Sequence, residues 1–125
     1  MRFIPQLALL LAAAIHLLPV SGAFSNAALF KLYRVRLTEP NLIVLLRHRA
    51  AMFGVIAVFM LVACYERSLQ HAAFGVGFAS TASFILIARQ VGGYSNAIAR
   101  VVTADLIALA ALLVGFAFQL SGDWK

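Results

Sequence analysis

Leu42-Ile43-Val44-Leu45-Leu46-Arg47-His48-Arg49-Ala50-Ala51-Met52-Phe53-Gly54-Val55-Ile56-Ala57-Val58-Phe59-Met60-Leu61-Val62-Ala63-Cys64-Tyr65 is an apolar run broken only by Arg47-His48-Arg49. After Glu66-Arg67-Ser68-Leu69-Gln70 a second run extends over 71–88. A helix crosses the hydrocarbon of a bilayer with about 20 residues, within a range of about 17–25; both runs fit, and neither alternates like a barrel strand. A connection this short joins neighbours in space, so the stretch predicts an antiparallel helical hairpin.

Outward from the hairpin the pattern repeats. Residues 3–23 form an apolar run with Pro5 near its start and Pro19 near its end, and 98–120 form another. Spans at 3–23, 42–65, 71–88 and 98–120 predict one all-α domain over 1–125, an integral membrane four-helix up-down bundle. Composition points the same way. Apolar residues make up 64% and charged residues 11%, against about 45–50% and about 25% in soluble domains. A small water-soluble fold could not hide that apolar surface. No internal repeat or low-complexity tail is present.

The net charge is +6, and the basic residues stand at the ends of apolar runs. Membrane lipids are therefore the expected partners. Nothing has the spacing of a zinc finger, an aromatic-basic RNA motif or a groove-reading basic helix, so nucleic acid is not expected. Cys64 is the sole cysteine, which excludes an internal disulfide and a Cys-x-x-Cys pair.

The first connection is the longest. Ser25 is placed to cap a short helix there, with Leu29, Phe30, Leu32 and Tyr33 on the membrane surface and Lys31 and Arg34 reaching headgroups, a short interfacial helix between the first and second spans. Thr38-Glu39-Pro40 reads as the next helix start. Gly92-Gly93 breaks the third helix from the fourth, and Asn96 is the expected cap of the fourth. Met1-Arg2, the following apolar stretch and Ser21-Gly22-Ala23 also resemble a secretory signal. Pro5, His16 and the length of the run favour a retained helix.

With four spans, Lys31, Arg34, Arg36, Arg47, Arg49, Arg89 and Arg100 fall on one side, and Arg2, Arg67 and Lys125 on the side of the termini. The positive-inside rule then places both termini outside the cytoplasm. Small residues mark expected packing faces: Ala8, Ala12 and His16; Ala50, Gly54 and Ala57; Gly75, Ala79 and Ser83; Ala104, Ala108, Ala111 and Gly115.

Ionisable groups within a span are costly, so they are the pointers to function. By helical rise, His16, the Arg47-His48-Arg49 segment and Asp105 each lie about 10 Å inside helix ends on one side. Tyr94, Asn96 and Arg100 stand above them. The small-residue face puts Arg47 nearest the bundle, His48 beside it and Arg49 pointing away. Structurally, Asp105 is expected to pair with an arginine of that segment, His16 to bond a backbone carbonyl near Pro19, and Ser80, Thr81 and Ser83 to bond back to their own helix. Functionally, His16, Arg47, His48, Arg49, Tyr94, Asn96, Arg100 and Asp105 would bind an anionic headgroup, a quinone carbonyl or a carboxylate. A metal is not expected beside so many arginines, and no cofactor is indicated.

The stretch Leu45-Leu46-Arg47-His48-Arg49-Ala50-Ala51-Met52-Phe53-Gly54, with Gly92-Gly93-Tyr94 and Arg100-Val101-Val102 to Asp105, resembles a group of small bacterial membrane proteins that are similar in layout to DoxX-like four-helix proteins. The resemblance covers nearly the whole chain. It implies a bacterial inner-membrane protein and carries no established reaction. Relatives in the group sometimes bear the name phosphopantetheine adenylyltransferase, whose soluble bearers resemble a nucleotide-binding α/β fold with a Thr-x-Gly-His-type motif. This sequence has neither that motif nor a phosphate loop. The leading expectation is a non-enzymatic accessory or subunit protein with a polar pocket for a lipid- or quinone-like molecule, as a homodimer or in a larger membrane complex. The alternatives are a small dimeric transporter, although the embedded acid is on the fourth helix, and an intramembrane enzyme using His16 or His48 as base.

Overall fold

The computed structural model describes residues 3–122. It contains five α-helices: α1 (Ile4–Leu17), α2 (Asn26–Tyr33), α3 (Pro40–Tyr65), α4 (Gln70–Val91) and α5 (Asn96–Ser121). Short 3₁₀ segments at Leu18–Ala23 and Arg67–Leu69 extend α1 and precede α4. Four helical stretches, Ile4–Ala23, Pro40–Tyr65, Arg67–Val91 and Asn96–Ser121, are long and apolar enough to cross a membrane.

The helix starts follow local chemistry. Glu39 accepts from the amides of Asn41 and Leu42, each at 3.0 Å, and Pro40 occupies the first turn, where its missing N–H costs nothing. Ser25 caps α2 through Ala28 N. The cap of α5 is Ser95, which accepts from Ile98 N; Asn96, expected there, is the first helical residue. At the α4–α5 turn Gly92 and Gly93 have φ of 63° and 64°, a region where a side chain would be strained. Between α3 and α4, Ser68 donates its amide and hydroxyl to Glu66, which holds that carboxyl below its usual range.

α1 packs against both α3 and α5, while α3 and α5 make no contact with each other among the described residues. The ends meet in a definite register. Gln6 near the start of α1 donates to the carbonyl of Cys64 near the end of α3 at 2.8 Å. Ala8 meets Gly115 so closely that a methyl at Gly115 would collide with it. Small residues thus set the helix spacing. Phe74, Leu9, Met60 and Leu112 fill the space around that crossing.

One packing face agrees with expectation and one differs. The Ala50–Gly54–Ala57 face packs, and its first residues meet the 3₁₀ end of the first span: side-chain carbons at Gly22 and Gly54 would sit 3.5 Å from Ala50 and Val20 respectively. On α4 the inward small residues are Ala73, Gly77 and Thr81, all fully buried or nearly so. Gly75, Ala79 and Ser83 face outward. A methyl at Gly77 would lie within 2.8–2.9 Å of Leu112 and Met60, whereas one at Gly75 would meet nothing. Both rows have helical spacing, and Phe74 beside the first row rotates it inward by burying its ring.

Candidate functional site

α2 turns one face towards the bundle. Leu29 and Tyr33 turn inward and are buried, Leu32 is half-buried, and Phe30, Lys31 and Arg34 remain exposed. Arg34 ends the helix in the left-handed region, φ 56°, so the chain turns back towards the start of α3. This inward turn brings the Tyr33 hydroxyl to Arg49, whose Nη1 donates to it at 2.7 Å.

Arg49, expected to point away, turns its guanidinium towards Tyr33 and Phe53 instead. Its guanidinium lies 4.6 Å from the centre of the Phe53 ring, 5.0 Å from Phe84 and 5.3 Å from Tyr33, so ring faces replace much of its hydration. Arg47 remains on the small-residue face, but that face meets the first span, and Arg47 donates instead to Asn26 Oδ1 at 2.7 and 3.1 Å. His48 is exposed between them.

His16 is 2% exposed. Its Nδ1 lies 2.8 Å from the carbonyl oxygen of Ala12, on its own helix. A carbonyl only accepts, so Nδ1 carries the proton; in the neutral ring Nε2 then accepts from the Ser80 hydroxyl at 2.8 Å. Phe53 packs edge-on against the imidazole. Thr81 and Ser83 bond back to backbone carbonyls of α4, as expected; Ser80 alone is spent across the helix pair.

Asp105 is 7% exposed. The expected direct pair with an arginine of α3 is not formed among the described residues. Arg49 acts on Asp105 through space and gives its hydrogen bond to Tyr33. The reason is architectural: α1 stands between α3 and α5. Asp105 and His16 instead share the wall of a cavity of about 240 Å³, together with Tyr33, Lys31 and Arg100. Ile15, Leu18, Pro19, Leu32, Phe53 and Val101 make the rest of the wall largely apolar. Tyr94 and Asn96, both exposed, do not line it. The structure thus gathers His16, Asp105 and Arg100, leaves Arg49 behind the Phe53 wall, and puts Arg47, His48, Tyr94 and Asn96 outside.

Lys31 and Tyr33 join the cavity without having been counted among its polar groups, because α2 reads as a surface helix. A second polar cluster was also missed. Gln70 and Gln119, both 3% exposed, meet at 3.3 Å at the opposite end of the bundle, with Gln70 also donating to the carbonyl of Ala63. Two amides at matching ends of successive apolar runs were the available signal. Among the described residues no cluster of three His, Cys, Asp or Glu side chains could hold a metal ion. No protein-family model, curated protein or solved structure matches the chain.

Proposed function

We propose that the protein is an integral membrane protein in which the four long helices run up and down through the bilayer and α2 sits at its surface. In this reading it is a non-enzymatic accessory or subunit protein that holds a lipid- or quinone-like molecule in the cavity beside α2. The observation that carries the reading is the cavity itself, with a buried carboxylate and imidazole set among mostly apolar side chains. Binding sites for amphipathic molecules have that composition: apolar walls for area and a few polar groups for orientation. Lys31 and Arg100, both exposed, offer cations to an anionic or carbonyl head, while Asp105 offers an acceptor deeper in, beside a His16 ring whose two nitrogens are held by Ala12 and Ser80. The sequence resemblance to small bacterial membrane proteins, themselves DoxX-like in layout, motivates placing the chain in the bacterial inner membrane.

Native mass spectrometry of gently extracted protein tests this. The expected spectrum carries one amphipathic small molecule per chain, and its abundance falls in Asp105→Asn. A bare spectrum at low activation energy, or equal retention by Asp105→Asn, speaks against the cavity as its site.

Orientation is tested separately. A reporter active only in the cytoplasm, fused at Lys125 beyond the described residues, is expected to stay silent, because most Lys and Arg fall on the opposite side in the four-span arrangement. Strong activity there reverses the orientation.

A further inference from the structure

A second opening lies between α3 and α4. It is a groove of about 470 Å³, with Phe53, Ile56, Val76, Phe84 and Ile87 among its walls and Arg49 at the end nearest the start of α3. Two serines also line it, but both are committed: Ser83 donates to the carbonyl of Ser80 and Ser80 bonds His16. To a ligand the groove is therefore an apolar channel with one cationic end.

Arg49 is incompletely satisfied. Nη1 has Tyr33, whereas the buried Nη2 has no hydrogen-bond partner among the described residues. Leaving a buried donor unmade is expensive, more so on a charged group. The ring faces around the guanidinium offset its charge without accepting that N–H in line, and Asp105 acts only through space.

We propose that the groove binds a long-chain carboxylate, with the Arg49 side chain shifting slightly so that its sealed Nη2 meets a carboxylate oxygen and with the alkyl chain lying along α4. A planar guanidinium suits a carboxylate in both geometry and charge. One cation at one end matches one anionic head. Val76 and Ile87 stand about 16 Å apart along α4 at about 1.5 Å per residue, a length that suits a single extended chain. The proposal rests on the membrane reading above but not on the cavity ligand, since Phe53 divides the two spaces and only the cavity includes Asp105.

The test is photolabelling of the full chain in detergent with a diazirine-bearing palmitate, followed by peptide mapping. Label is expected on α3 and α4 peptides around Phe53 and Val76–Ile87. Palmitate in excess should lower it about five-fold or more, and hexadecanol less than about two-fold, since the alcohol lacks the charge that Arg49 recognises. Arg49→Gln should weaken labelling by a similar factor. Ala79→Phe should do so as well while leaving the melting temperature unchanged, because Ala79 is an exposed residue of the groove wall. Competition by hexadecanol equal to that by palmitate, or full labelling of Ala79→Phe, overturns the proposal. A single-chain phosphate that competes better than palmitate overturns the carboxylate assignment. Label confined to α1 and α5 peptides overturns the groove and leaves the cavity reading standing.

Discussion

Gly115→Leu should keep the first span from seating on α5 and sharply lower the stability of the detergent-solubilised protein. At Gly115 even a methyl would run into Ala8, and it would also lie 3.1–3.2 Å from the Phe74 ring. Both neighbours are buried, and Ala8 has no flexible end to swing aside. Overpacking a tight core costs about 1–3 kcal/mol and occasionally more; a four-carbon side chain against a buried alanine methyl and a buried ring belongs at the upper end. Because α1 contacts both α3 and α5 while those two do not touch, displacing α1 loosens three helices together. Gly75→Leu is the matched control, since a side chain there meets nothing. Unfolding followed by circular dichroism during titration with a denaturing detergent should show a much earlier midpoint for Gly115→Leu and little change for Gly75→Leu. Equal midpoints would mean that α1 and α5 do not cross at this glycine.

Asp105 and Arg49 give the second large effect, on binding. Asp105→Asn keeps the shape of the side chain and removes its charge from the cavity wall. Retention of the bound molecule should fall about tenfold or more, where tenfold corresponds to about 1.4 kcal/mol. A directly bonded buried pair behaves differently: removing one partner strands the other at a cost of about 3–5 kcal/mol. Here α1 intervenes and Arg49 acts only through space, so the stability cycle of Asp105→Asn, Arg49→Gln and the double variant should show a coupling of no more than about 1 kcal/mol. A coupling energy above about 2 kcal/mol would show the ion pair that the sequence suggests and the structure lacks.

The legible part of this protein was its hydropathy. Apolar runs located all four long helices, and the Glu39-Pro40 and Ser25 starts were readable because a cap is a local event, one side chain answering nearby amides. Sequence puts the cap of α5 one residue too late, at Asn96, because Ser95 and Asn96 are both good caps. Facing was much less legible. In an apolar helix the outward side is as hydrophobic as the inward one, so Gly75–Ala79–Ser83 and Ala73–Gly77–Thr81 look alike until Phe74 is seen to be buried. The same ambiguity exchanged Arg47 and Arg49. The packing face of α3 was correctly chosen, but it presses on the first span, and that contact takes Arg47 to Asn26. Helical rise alone predicted that His16 and Asp105 share a depth; that α1 separates Asp105 from α3 is a fact of helix order around the bundle, which rise does not encode. Tyr33 was missed because an amphipathic segment of eight residues gives no sign of how far it tips inward.

The 3₁₀ end of the first span has a mechanical consequence. Its 14 α-helical residues rise about 21 Å at 1.5 Å each, and its six 3₁₀ residues add about 12 Å at 2.0 Å each. The stretched end lets a segment six residues shorter than α3 or α5, each 26 residues long, cover about 33 Å, close to the roughly 30 Å of a typical hydrocarbon layer. In the proposed bilayer the first span fits nearly upright, while α3 and α5, at about 39 Å, must lean or project. The shortest of the four spans is then the gauge of the assembly. In a thicker bilayer the long helices can straighten, but the first span, already drawn out past Pro19, has little left to give, and mismatch would fall first on the helix that carries His16.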